Sequence, residues 1–173
     1  MGQQENGGVH MIPPFNELRA LIGKSATYTA PEEIGCASAR YYAQATADNN
    51  PLYRDVASAK EVGLPSTIVP PTWLFDTNQY ADLPRNADGY AGHWPIELPG
   101  MRSVRGGHDY QWFRDIYPHD IITAHWRITD VTERTARSGT SMIVVTSSCH
   151  YTDERGAPIA QQTETLLFMD MIS

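Results

Sequence analysis

Four segments in the last third of the chain alternate apolar and polar residues with the period of two that is typical of half-buried β-strands. They are rich in Val, Ile, Thr, Tyr and Trp, and they cover residues 103–114, 120–134, 141–153 and 157–170. In the second segment, Ile122, Ala124, Trp126 and Ile128 alternate with polar residues, which predicts one apolar face. The sequence Asp153–Gly156 predicts a hairpin turn between the last two strands.

Helical patterns dominate the first half of the chain. The alanine-rich run from Ser38 to Ala47 predicts a helix that Ser38 caps. This helix must end before Asn50-Pro51, because a residue that precedes proline disfavours the helical conformation. Asp55 is the expected cap of another short helix. The other predicted elements are a turn or helix over residues 15–22, a strand over 25–29, a helical turn over 31–33 and a helix over 57–62.

The segment Pro70–Tyr80 combines two prolines with a long apolar run, which predicts one buried helix. Helices followed by four antiparallel strands predict an α+β domain. Because this segment is the one apolar enough to cover the sheet, the expected architecture is a hot dog, in which a curved antiparallel sheet wraps around a central helix. We expect a disordered tail over residues 1–12, a single domain over 13–173 and a long loop over 82–102.

Composition and charge narrow the possible partners. The chain has 13 Lys and Arg against 20 Asp and Glu, a net charge of −7, which argues against nucleic acid because phosphate binding needs clustered cations. No apolar run approaches the roughly 20 residues that a membrane span requires. Cys36 and Cys149 are the only cysteines, so packed thiols in a reducing, cytoplasmic compartment are expected. The histidines and cysteines lack metal-ligand spacing, so we expect no metal.

The turn after the alanine-rich helix carries the most specific motif of the chain. It reads Asp48-Asn49-Asn50-Pro51-Leu52-Tyr53, and Pro70-Pro71-Thr72 follow downstream. Further glycine-containing matches are Ile22-Gly23-Lys24, Gly106-Gly107-His108-Asp109-Tyr110-Gln111-Trp112 and Gly156 before Ile159-Ala160-Gln161-Gln162. Together, over about residues 21–168, these segments resemble the MaoC-like dehydratase family, and more specifically its FAS1-like N-terminal dehydratase domain.

The resemblance implies reversible addition of water to a trans-2-enoyl thioester. Catalytically complete members of the family read D-x-N-P-[I/L/V]-H, so Asp48 falls on the acid/base aspartate and Asn50 on the motif asparagine, while Tyr53 stands in place of the histidine. An unperturbed phenol has a pKa near 10, so a phenolate at neutral pH would need roughly 4 kcal/mol of extra stabilisation. Tyr53 is therefore expected to be a poor base for activating water.

The missing histidine leads to a partner hypothesis. The resemblance implies that N-terminal half-domains of this kind pair with a separate half that carries Asp and His. We therefore expect a homodimer or a heterodimer with a second hot-dog subunit, and a tunnel for an acyl-CoA or acyl-carrier thioester, without a metal or a redox cofactor. The expected substrate-binding residues are Pro70, Pro71, Thr72, Trp73 and His108.

Alternatives stay open at this point. The chain could be a self-sufficient dehydratase that uses Asp48 as base and Tyr53 as donor, a hot-dog thioesterase, or an acyl-binding scaffold without catalysis. Asp48 could serve only to form a turn, and Tyr53 could be a core aromatic residue with a wet hydroxyl. His108, which shares a strand face with Tyr110 and Trp112, could act as a substitute acid/base.

Overall fold

The computed structural model describes residues 15–76, 78–84, 96, 98, 101–135, 139 and 141–170. The described helices are α1 (Phe15–Arg19), α2 (Cys36–Ala45) and α3 (Val56–Glu61), with 3₁₀ helices at Pro51–Tyr53, Pro71–Asp76 and Asn78–Tyr80. The described strands are β1 (Ser25–Thr29), β2 (Met101–Trp112), β3 (Thr123–Thr135), β4 (Ser141–Thr152) and β5 (Pro158–Asp170).

The five described strands form one antiparallel sheet in the order β1-β3-β4-β5-β2. The four long strands lie within three residues of their predicted bounds, and β1 has the bounds predicted for it. The predicted hairpin turn is also present, because the Gly156 N–H donates to the Asp153 carbonyl at 3.0 Å. These observations confirm the α+β hot-dog prediction.

One face of the sheet, here called the inner face, carries the main core. Strand register aligns Ala124, Tyr151, Ala160 and Trp112 in one row across β3, β4, β5 and β2. Alternation along β3 places Trp126 on the same face. Burial of each large apolar side chain contributes about 1.5–3 kcal/mol to the free energy of folding. Segments that pack against the inner face are therefore held there by the burial of these side chains. The buried core residues here include Leu74, Ile122, Trp126, Tyr151 and Ile159.

Residues 70–76 and 78–80, here called the proline-led segment, lie over the inner face but do not form the single helix that the sequence predicts. Two short 3₁₀ helices replace it. The first turn closes with a hydrogen bond from the Trp73 N–H to the Pro70 carbonyl at 3.0 Å, a spacing of three residues. The Leu74 carbonyl accepts from the Gln79 side chain at 3.1 Å. The Gln79 side chain thus bonds to the Leu74 carbonyl, which in a continued α-helix would accept from the backbone N–H four residues later.

Two further helical predictions are wrong. Residues 31–33 form no helical turn, because the neighbouring Ile34 and Gly35 N–H groups bond to the carbonyls of Asp120 and Pro118 and hold the chain against that loop. Helix α2 begins at Cys36 after Gly35, whose φ is 80°, and no side chain caps it. Ser38 therefore lies inside the helix and is not its cap.

Other predictions have mixed outcomes. Asp55 caps α3 as expected, because its carboxylate accepts from the backbone N–H groups of Ala57 and Ser58. Both cysteines are free, with Cys149 buried as predicted and Cys36 exposed. Within the described ranges, the helices are too short or too polar to cross a membrane. The predicted tail and most of the predicted loop over 82–102 lie outside the described residues, and the single-domain boundary stays a prediction.

Candidate functional site

The turn that carries the motif begins with a left-handed residue that is not glycine. Ala47 has a φ of 55°, a conformation that costs a residue with a Cβ about 1–2 kcal/mol. It closes α2, because the Asp48 N–H donates to the Ala43 carbonyl at 2.8 Å and the Ala47 N–H donates to the Gln44 carbonyl at 3.1 Å. The backbone is therefore strained one residue before the predicted acid/base aspartate.

Asp48 and Asn50 each stabilise the turn with their own side chains. The Asp48 carboxylate accepts from the Asn50 N–H at 3.0 Å, and the Asn50 side-chain oxygen accepts from the Leu52 N–H at 3.1 Å. Two successive turns of this kind explain why the chain folds as it does here. Asp48 is exposed, so its carboxylate both forms the turn and remains accessible.

Tyr53 is buried and stays protonated at neutral pH. Burial raises its pKa above the ordinary value of 10, and the negative charges of Asp48 and Asp115 raise the pKa further. A hydrogen bond from Asn50 opposes these effects without reversing them. The surroundings thus make the phenol a weaker acid than an exposed tyrosine, so even less of the phenolate that could activate water is present at neutral pH.

Three hydrogen bonds connect the helix before the motif, the motif itself and the residues that lead into the proline-led segment to their neighbours. The Tyr42 hydroxyl of α2 donates to Thr72 Oγ1 at 3.1 Å. The Ile68 N–H donates to the Leu52 carbonyl at 3.0 Å. The next residue, Val69, donates to the Ile116 carbonyl at 2.8 Å, so the motif, the segment and the chain after β2 are fixed relative to one another.

A cleft of about 340 Å³ opens beside this junction. Its lining is mostly apolar and aromatic, with Arg114 and Asp115 as its charged residues, and includes Ile68, Val69, Pro71, Trp112, Phe113 and Ile116. Of the predicted substrate-binding residues, Pro71 lines this cleft. Thr72 is exposed nearby, Pro70 is buried, and Trp73 is half-buried against the core. Asp48 does not line the cleft.

His108, Tyr110 and Trp112 face the same way along β2, as the period-two pattern predicts. The His108 and Tyr110 rings stack with centroids 5.3 Å apart, and the Tyr110 and Trp112 centroids are 5.5 Å apart. Phe75 of the proline-led segment stacks on Tyr110 at 4.0 Å. This aromatic row leads from the cleft at Trp112 along the inner face to His108.

The row ends at Glu164, a buried acid that the sequence analysis did not single out. Glu164 is 1% exposed. Its Oε1 atom lies 3.6 Å from His108 Nε2 and 3.9 Å from Arg105 Nε. The signal that could have identified it is its position in β5, where it shares the inward alternation of the apolar residues Leu166 and Phe168.

An ion-pair network fixes the chain at the edge of the cleft. The Arg114 guanidinium donates to both oxygens of Asp120 at 2.8 Å and to Asp153 at 3.3 Å, so the end of β2 is tied to the β4–β5 hairpin. The hydrogen bond with Asp120 is the main reason that the pKa of Arg114 is raised. Carboxylate oxygens of Asp120, Asp153 and Glu154 lie within 4.8 Å of one another, but the first two already accept hydrogen bonds from Arg114.

Comparison with known proteins gives a consistent result. Residues 20–162 match the family described as FAS1-like, dehydratase domain region. A UPF0336 protein of Streptomyces coelicolor is 33% identical over 105 residues, which cover 61% of this chain and 67% of that protein. A UPF0336 protein of Thermobifida fusca is 31% identical over 113 residues, which cover 65% of this chain and 71% of that protein.

Solved structures with the same fold are more distant in sequence. A chain of the ChsH1-ChsH2 complex from Mycobacterium tuberculosis has a TM-score of 0.71 at 16% identity, with 92% of this chain and 91% of that chain covered. A chain of the HadBC (3R-hydroxyacyl-ACP dehydratase) complex from the same organism has a TM-score of 0.61 at 18% identity, covering 83% and 96%. The (R)-hydratase from A. caviae has a TM-score of 0.60 at 21% identity, covering 84% and 94%.

Proposed function

Because this chain belongs to the family of FAS1-like dehydratase domains, we propose that it is one subunit of an acyl-thioester hydratase or dehydratase. The reaction is the reversible addition of water to a trans-2-enoyl thioester, carried by CoA or by a carrier protein. In this proposal a second hot-dog subunit supplies the catalytic Asp and His, and the present chain contributes to the acyl-binding site. We further propose that the assembly is cytoplasmic and needs neither a metal nor a redox cofactor.

The observation that carries the proposal is the state of Tyr53. This residue occupies the histidine position of the motif, is 9% exposed, and has a pKa that burial and the charge of Asp48 raise. A general base works best when its pKa lies near the working pH. A buried phenol with a raised pKa cannot take a proton from water at neutral pH, which favours catalysis by a partner subunit.

The open edge of the described sheet supports pairing. Strand β2 forms one of the two edges of the described sheet, and β1 forms the other. Strand β2 is 12 residues long, with Val104 39% exposed and the adjoining Phe113 47% exposed. An edge strand offers unpaired backbone groups to a second strand. Two of the structures with the same fold come from two-component complexes by their names, ChsH1-ChsH2 and HadBC. These observations favour a dimer, either of two copies or of two different hot-dog subunits.

The proposal is tested by measuring enoyl hydration with and without a partner. The purified chain alone is expected to leave the enoyl absorbance of crotonyl-CoA and longer enoyl-CoAs unchanged. Addition of a hot-dog subunit that contains D-x-N-P-x-H is expected to start turnover. Robust turnover by the chain alone would overturn the partner proposal.

The same assay separates the alternatives. If the chain alone is active and Asp48→Asn abolishes the activity, the self-sufficient dehydratase is correct. A thioesterase would release a free thiol that reacts with DTNB, whereas hydration releases none. A scaffold would bind the partner or the carrier and give no turnover even in the complete assembly.

A further inference from the structure

The inner face of the sheet contains a polar row within its apolar core. Strand register aligns Ile128, Ser147, Glu164 and His108 across β3, β4, β5 and β2. Ser147 and Glu164 are each 1% exposed. A buried carboxylate costs several kcal/mol unless it is compensated, so packing alone does not explain why an acid occupies this position.

A β-bulge gathers the charged residues around Glu164. Arg105 pairs with Leu166 and Gly107 pairs with Thr165, which leaves Gly106 as an extra residue in β2. In a regular strand Arg105 and His108 would point to opposite faces, because they are an odd number of residues apart. With the bulge, both side chains approach the same carboxylate. A Cβ at Gly106 would lie 3.0 Å from Leu167 Cγ, so glycine fits this position best.

Polar atoms beside this row lack partners within the described part of the chain. Neither ring nitrogen of His108 has a hydrogen bond, although both are shielded from solvent. At 3.6 Å, the Glu164 oxygen is too distant to be an acceptor. The side-chain oxygen of Gln162, a residue 4% exposed, also has no partner. An imidazole always has at least one N–H donor, and buried polar groups of this kind are normally satisfied.

Gln162 is the diagonal neighbour of His108, since Tyr110 pairs with Gln162 and His108 pairs with Glu164. Diagonal residues on adjacent antiparallel strands are about 7–8 Å apart, and their Cβ atoms are somewhat closer. One oxygen atom placed between the two side chains could therefore accept from the His108 N–H and donate to Gln162 Oε1. A hydroxyl group has both of these capacities.

We propose that His108 and Gln162 bind a hydroxyl group on the acyl chain, remote from the thioester. This inference rests on the proposed function, because it assumes an acyl thioester in the cleft. The acyl chain would run from the cleft at Trp112 along the aromatic row, displacing Phe75 from Tyr110. The polar end of the row then selects an acyl group that carries a hydroxyl.

The test compares binding of acyl-CoAs that differ by one hydroxyl. Octanoyl-, decanoyl- and dodecanoyl-CoA are titrated into the full-length protein by calorimetry, each beside its ω-hydroxy analogue. At the length that reaches His108, the hydroxy form is expected to bind about threefold to tenfold more tightly, the gain typical of a buried hydrogen bond. His108→Phe is expected to remove this preference, because the imidazole N–H is lost while an aromatic ring is retained.

Controls make each outcome decisive. His125→Phe alters an exposed histidine of β3 and is expected to keep the preference. If His108→Phe does not fold, His108→Leu provides the same comparison. Equal affinities at all three lengths, or a preference that survives loss of His108, would overturn this inference and leave the proposed function intact. If no acyl-CoA binds at any length, the proposed function fails together with the inference.

Discussion

The indole Nε1–H of Trp126 donates a hydrogen bond to the Tyr80 hydroxyl at 2.8 Å in the buried core. This bond joins the proline-led segment to β3 in the middle of the sheet. It also helps to hold the segment in place although the segment is not a continuous α-helix. The contact between these two residues leads to the first prediction.

Tyr80→Phe is expected to lower the free energy of unfolding by about 1–3 kcal/mol, because the buried indole N–H would lose its acceptor. Chemical denaturation monitored by tryptophan fluorescence measures the change. Tyr41→Phe is the matched control, because Tyr41 is 68% exposed and should tolerate loss of its hydroxyl. A Tyr80→Phe protein as stable as the wild type would show that this hydrogen bond contributes nothing net.

Ala47→Gly is expected to raise the free energy of unfolding by about 1 kcal/mol, because glycine adopts the left-handed conformation without a Cβ penalty. Ala45→Gly, two residues earlier and still inside α2, is the control and should destabilise by about 0.5–1 kcal/mol. Urea unfolding curves of the two variants should therefore shift in opposite directions. A shift in the same direction would contradict the strain assigned to Ala47.

Tyr53→His is expected to give the chain measurable crotonyl-CoA hydration of its own, because an imidazole titrates near neutral pH whereas the pKa of this phenol is raised. Tyr53→Phe is the control and should remain inactive. The gained activity should disappear in the double variant Tyr53→His with Asp48→Asn. Activity that is independent of Asp48 would place the reacting water elsewhere.

The ion-pair network around Arg114 predicts a stability loss at acidic pH. Burial raises the pKa of Asp153, but the backbone N–H groups of Ala157 and Arg155 lower it. The charge of Arg114 lowers it further, so the net pKa lies below the ordinary value of 3.8. A depressed pKa in the folded state stabilises the protein above pH 3.8, and this stabilisation is lost as the pH falls through the lowered pKa.

Asp153→Asn should therefore destabilise the protein near neutral pH and differ little from the wild type well below pH 3.8, where Asp153 is protonated. Urea unfolding of both proteins across the acidic range measures this difference. A difference that stays constant with pH would mean that Asp153 acts through its hairpin geometry and not through its charge.

The sequence predicts the sheet well because its signals are local. Period-two alternation and β-branched composition mark the long strands, and the Asp153–Gly156 turn marks one hairpin. Whether the proline-led segment forms an α-helix or 3₁₀ helices is not determined by its own sequence alone. It depends on which partners are available to the backbone, and Gln79 takes the Leu74 carbonyl only in the folded chain.

In the candidate site, too, some residues can be predicted from the local sequence and others depend on how the chain folds. The motif predicts Asp48, Asn50 and Tyr53, and the structure brings them into one turn with Tyr53 inside. Glu164 is 116 residues from Asp48 along the chain and belongs to no motif. Its surroundings depend on strand register, and register across β2 depends on a single extra residue that alternation rules do not predict.

That extra residue, Gly106, has a consequence for comparisons between relatives. Gly106 shifts the alternation of β2 by one residue. Before it, odd-numbered residues such as Arg105 face inward, and after it, even-numbered residues such as His108 face inward. A relative that keeps Gly106 but forms a regular strand would turn either its arginine or its histidine equivalent toward the solvent. A relative that lacks this residue would keep both on the inner face, because they would then be two residues apart. Sequence identity at positions 105 and 108 therefore preserves the charged cluster only when the extra residue and the bulge occur together.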